Sequence, residues 1–123
     1  MHAKGIRGRR AEELALRHLE SQGLALVAKN FRCRLGEIDL VMRMSRSLVF
    51  VEVRSRASSR FASPLESVDW RKQQKLIRAA SYFLMMNRAF RHHAVRFDVV
   101  AVEGPLPGGY SLQWIRDAFR PQQ

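Results

Sequence analysis

The chain is poor in the features that would make its class obvious. It has one cysteine, Cys33, so no internal disulfide can form, and a reducing compartment is expected. No apolar run approaches the roughly 20 residues that span a bilayer, and no helix pairs a basic face with a bulky apolar one, so a lipid surface is a poor partner. The basic start MHAKGIRGRRAEE leads into an acidic amphipathic segment instead of an apolar core, which argues against a signal peptide and for the cytoplasm. Repeats, low-complexity tracts, Pro/Gly linkers and Cys/His zinc spacings are all missing, so one domain over 1–123 is expected. Acidic residues are also scarce. Eleven Asp and Glu stand against 22 Lys and Arg, leaving a formal charge of +11 and a field that attracts polyanions. A hydrophobic content of 46% is enough for one core.

The patterning predicts α-β-β-β-α-β with a short β-α tail, an α/β protein with a central mixed sheet flanked by helices. A first helix is expected over about 8–22, stopped by Gly23 as a C-cap residue. An extended stretch covers 24–32. Strand-like runs at 36–43 and 48–54, joined by Met44-Ser45-Arg46-Ser47, read as a hairpin. Residues 55–66, rich in Ser and Arg, suggest a mobile loop, followed by a long helix over about 67–88. A strand over 95–102 precedes the turn-forming segment EGPLPGG, then a short strand at 110–113 and a helical turn at 114–119.

Charge interrupts this pattern at informative places. Advancing the first helix by 100° per residue puts Ala11, Leu14, Ala15, Leu16 and Leu19 on one arc, with Glu12 inside it and Glu13 facing away. A carboxylate there needs a cation, a metal or a cleft. On the second helix, Lys72 and Gln73 lie on the arc of Leu76, Ile77, Ala80, Phe83 and Leu84, with Lys75 at its edge; a lysine that snorkels out is the plainer alternative. Alternation in GEIDLV directs Glu37 and Asp39 one way and Ile38, Leu40 and Met42 the other. In LVFVEVR, Glu52 and Arg54 share the face of Leu48 and Phe50. Acids on neighbouring strands with a cation two residues on suit oxygen coordination of Mg²⁺ and water activation at a phosphate. A cross-strand ion-pair network is the competing explanation.

Read together, RRAEELALRHLESQG at 9–23, NFRCRLGEIDLV at 30–41, LVFVEVRSR at 48–56, WRKQQKL at 70–76 and RFDVVAV at 96–102 resemble the YraN family of small bacterial proteins. That family is similar to the restriction-endonuclease-like PD-(D/E)XK superfamily, in particular to archaeal Holliday-junction resolvases. The resemblance implies that Asp39 is the metal-binding aspartate and that Glu52, thirteen residues on, is the acid of the E-x-K element. It implies that Glu12 is the helical acid completing a site for Mg²⁺ or Mn²⁺, and that a homodimer would cut symmetric strands. Two positions depart from the motif. Ile38 precedes the aspartate where proline is usual, and Arg54 stands in place of lysine. Arginine holds its charge permanently and cannot serve as a base at pH 7, though it can bind phosphate. Lys72, on the inner arc of the second helix, is expected to substitute for that lysine.

Other residues carry less. His18 is expected to be packed, Asp98 to pair with Arg96, and His92-His93 to lie in a loop. The glycines at 104, 108 and 109 lack the helix of a phosphate-cradling loop. Arg7, Arg9, Arg10, Arg56, Arg60 and Lys75 could form a groove for a phosphate backbone, without an aromatic ladder for reading bases. These observations predict a metal-dependent nuclease acting on DNA, including branched or recombining DNA. A nucleic-acid-binding protein without turnover and a basic adaptor for RNA or an acidic protein are the alternatives.

Overall fold

A computed structural model describes residues 5–57 and 68–121. The first helix, α1 (Ile6–Ser21), buries Ala11, Glu12, Ala15 and Leu19 along one stripe. It ends in a Schellman motif: Leu24 N–H donates to Leu19 O and Gly23 N–H to Glu20 O, with Gly23 at φ 98°. Three strands follow, β1 (Ala25–Cys33), β2 (Gly36–Met44) and β3 (Ser47–Arg56). The second helix, α2 (Trp70–Met86), starts at Asp69, whose carboxylate accepts the Lys72 N–H at 2.9 Å. After a 3-10 turn over Arg88–Phe90 come β4 (Ala94–Leu106) and β5 (Gly109–Phe119).

The five strands form one sheet in the order β1-β2-β3-β4-β5, antiparallel except for the parallel β3–β4 pair. A parallel pair requires a crossover, and α2 lies within it. The helix packs Leu76, Ala79, Ala80 and Phe83 on Ile38, Val41, Leu48, Phe50, Phe97 and Val99. On the opposite face α1 sets Ala11, Ala15 and Leu19 against Leu40, Met42, Val49, Val51, Val100 and Val102. Alternation along β3 separates the two cores, because Leu48 and Phe50 face α2 while Val49 and Val51 face α1. The predicted α/β class, mixed sheet and element order agree with this architecture.

The observed strands differ from several of these expectations. Residues 114–119 are strand, not a helical turn. Val100 pairs with Trp114, Val99 with Ile115 and Phe97 with Phe119, so the β4 ladder outweighs local helical preference. The EGPLPGG segment likewise continues β4 through Leu106, and the hairpin turns only at Pro107-Gly108. Strand β2 also departs from simple alternation. Ile38 does not share a face with Leu40 and Met42: it enters the α2 core and they enter the α1 core. The pleat breaks at Asp39, where β2–β3 pairing ends at Leu40↔Val51 and Asn30 of β1 has φ 51°.

Candidate active site

That break opens one end of the sheet. Beyond Leu40 and Val51 the β2–β3 ladder has no further backbone pair, and the Asp39 carboxylate accepts the Val53 N–H at 2.8 Å instead. The side chain replaces a ladder carbonyl, which leaves Asp39 buried at the mouth of the gap. Glu52 sits beside it, only 4% exposed. Gly36, at the start of β2, permits the close approach of α2, since a Cβ there would lie 3.0 Å from the Lys75 carbonyl oxygen. The result is a cavity of about 310 Å³ lined by Glu12, Glu37, Asp39, Glu52, Arg54 and Lys72. Gly5, just before α1, and Gly8 and Ala11 within it form the wall on that side, small residues that leave the acids accessible.

Inside the cavity charge is concentrated on Glu52. Its Oε2 lies 3.2 Å from Arg54 Nη1 and 3.4 Å from Lys72 Nζ. Burial pushes the Glu52 carboxyl up from 4.5 to about 7; the neighbouring Asp39 carboxylate and a hydrogen bond between the two acids add to the rise, and Lys72 and Arg54 oppose it. A pair of buried acids in contact can share a proton or a cation. Among the described residues, no three His, Cys, Asp or Glu side chains are gathered into a metal-holding group. Glu12 faces the same space from α1 without joining such a cluster.

Glu37 lines the cavity and pairs with Arg32 at 3.7 Å. Gln73 does not line it; its Nε2 donates to Val68 O at 3.0 Å. Arg7 and Arg10 line an adjoining cavity, and Arg10 pairs with Glu13 at 3.4 Å. Arg9 and Lys75 are exposed on their helices, and Arg56 is half-buried on β3. Arg60 and most of the Ser/Arg stretch, 58–66, lie outside the described residues. Asp98 is fully buried and accepts both the Arg96 guanidinium and the Trp114 indole N–H, away from the cavity. His18 is half-buried, edge-on to Trp114 at 5.9 Å. Sequence reasoning did not single out Ser55, Gly8 or the Val53 N–H, because nothing local distinguishes them. Tyr110 was also passed over and Gly104 was weighed only as part of a phosphate-cradling loop; the one available signal was an aromatic beside a Pro/Gly turn.

Fold and cleft define a class of small basic α/β proteins that carry acids and cations where a mixed sheet splits. A family model described as Uncharacterised protein family UPF0102 matches residues 11–102, and the chain belongs to that family, the YraN family of the motif resemblance. UPF0102 proteins of Stutzerimonas stutzeri (52% identical over 112 residues, 91% of this chain and 92% of that one) and Pseudomonas putida F1 (48%, 91% of each chain) are similar along almost their whole length. A UPF0102 protein of Legionella pneumophila is 44% identical over 113 residues, covering 92% of this chain and 93% of its own. Among solved structures, Pyrococcus furiosus SfsA in complex with Ca²⁺ aligns over 90% of this chain and 62% of that one, with 13% identity and a TM-score of 0.42. That likeness is too distant to carry an activity across.

Proposed function

We propose that this chain is a divalent-metal-dependent nuclease that hydrolyses DNA phosphodiester bonds, including those of branched DNA. The observation carrying this reading is the contact of two buried carboxyls, Asp39 and Glu52, in a solvent-connected cleft walled by cations. The donor set fits Mg²⁺ or Mn²⁺: both prefer oxygen, and Mg²⁺ is commonly held by one or two carboxylates with waters and substrate phosphate completing the shell. Asp39 and Glu52 would hold the ion, with Glu12 contributing from α1. An ion bound there would activate water and offset charge on the phosphate. Arg54, half-exposed at the rim, would bind a phosphate oxygen through its planar guanidinium. Lys72 would supply the missing motif lysine from α2, since its Nζ lies 3.4 Å from Glu52 Oε2. The overall charge of +11 supplies non-specific attraction to the backbone.

A second reading, a nucleic-acid-binding protein without turnover, draws on a specific observation. Arg54 occupies the motif lysine position, and both it and Lys72 already neutralise one Glu52 oxygen. Incubation with four-way junction, flap and single-stranded DNA in Mn²⁺, Mg²⁺ or EDTA separates the two. Cleavage that is abolished by EDTA and falls at least about 100-fold in Asp39→Ala supports the nuclease. Salt-sensitive mobility shifts without cutting, indifferent to Asp39→Ala, support the binder. Absence of any DNA binding overturns both.

A further inference from the structure

Behind the acidic cleft lies a second cavity, of about 360 Å³, walled by Ile6, Arg7, Arg10, Ser55, Pro105 and Tyr110. Ala11 and Ser55 line both cavities, so they adjoin along one edge of α1. The second space differs in chemistry. It holds no carboxylate in its lining; instead it offers two arginines, a proline and a tyrosine ring. Arg10 places its guanidinium over the Tyr110 ring, 5.8 Å from the centroid.

The ring is held in place by backbone. Gly104 packs against it so closely that an added Cβ would meet Tyr110 Cδ1 at 2.8 Å and the Gly109 carbonyl oxygen at 3.0 Å, and Gly104 has φ 140°. Only glycine satisfies both the space and the dihedral. The β4–β5 hairpin therefore presents Tyr110, 38% exposed, as a fixed aromatic surface beside flexible cations. A base slotted between the ring and a guanidinium needs about 7 Å, two van der Waals gaps. Arg10 is exposed and its Glu13 pairing is a surface ion pair, so an opening of about 1 Å meets little resistance.

We infer that this cavity binds one unpaired nucleotide of the strand that leaves the acidic cleft, stacking its base between Tyr110 and Arg10 and holding its phosphate with Arg7. The inference rests on the nucleic-acid reading above and deepens it by naming a substrate class: DNA with a single-stranded segment beside a duplex. A fully paired duplex keeps its bases stacked inside and cannot present one to the ring, whereas every unpaired base has a face to stack. Stacking is tolerant of sequence, so the site would select strand structure and not base identity.

Fluorescence anisotropy in EDTA, where no cutting occurs, tests this with a blunt 20-base-pair duplex and the same duplex carrying a 6-nucleotide tail. The tailed DNA is expected to bind about tenfold or more tighter than the blunt one, with Tyr110→Ala removing most of that gap and Tyr110→Phe keeping it. The wild-type protein should also quench or shift 2-aminopurine placed in the tail, a readout independent of any variant's folding. Equal affinity for both DNAs, a Tyr110→Ala loss shared equally by both, or unchanged 2-aminopurine emission would overturn the inference while leaving DNA binding intact. Failure to bind either DNA would overturn the nucleic-acid reading, and this inference with it.

Discussion

Replacing Glu52 by glutamine should make this protein more stable at pH 8, even though it removes a charge from a site with two cations. In the folded chain the Glu52 carboxyl is raised to about 7, chiefly by burial and secondly by Asp39; in the unfolded chain it returns to 4.5. Between those values the folded state holds more protons. Stability from this group is therefore fully present below about 4.5 and is lost as the pH rises through 7. At 1.36 kcal/mol per unit the loss is about 3 kcal/mol, a sizeable share of the 5–15 kcal/mol typical of a domain. Glutamine keeps the size of the neutral acid and cannot ionise. Urea unfolding of both proteins at pH 5, 6, 7 and 8 in EDTA should show Glu52→Gln gaining on the parent by about 2–3 kcal/mol across that range. A variant no more stable than the parent at pH 8, or a difference that does not change with pH, would refute the account of Glu52 as a destabilised carboxylate.

On the metal-dependent reading the same protonation would govern metal affinity, since an ion bound by Glu52 and Asp39 would have to displace the proton on Glu52. Mn²⁺ binding by calorimetry should strengthen about tenfold per pH unit below 7 and level off above it; an affinity flat from pH 5.5 to 7.5 would rule out the pair as the ligand set. Asp98→Ala removes the acceptor shared by Arg96, the Trp114 indole and the Asp117 amide. It should cost about 3 kcal/mol in denaturant unfolding while leaving Mn²⁺ affinity of the folded protein unchanged, because Asp98 lies outside the cavity. A parallel loss of Mn²⁺ affinity would show that the network reaches the cleft.

Strain of this kind tends to concentrate at sites that act. Glu52 would be more comfortable as an amide or a hydrocarbon, and Asp39 spends one oxygen closing a ladder that backbone would ordinarily close. Both features belong to the same break in β2–β3 pairing. A fold that merely needed stability would continue the ladder past Leu40 and Val51.

Much of this was legible in the residues. The helical period of Ala11, Leu14, Ala15, Leu16 and Leu19 around Glu12 placed that acid on the buried stripe, because rotation by 100° per residue is a local property of backbone geometry. Glu52 and Arg54 fell on the α2 side of β3 by simple alternation, and Lys72 on the inner arc of its helix. What alternation could not reveal was its own failure at Asp39, which sends Ile38 to one core and Leu40 to the other; that depends on where β3 stops pairing, a non-local event. The 114–119 segment became strand for the same reason, its fate decided by β4 rather than by its own sequence. Side-chain pattern is written into each element as it stands. Contact between Asp39 and Glu52, and the meeting of Tyr110 with Arg10 across the hairpin and α1, come into being only when distant elements pack.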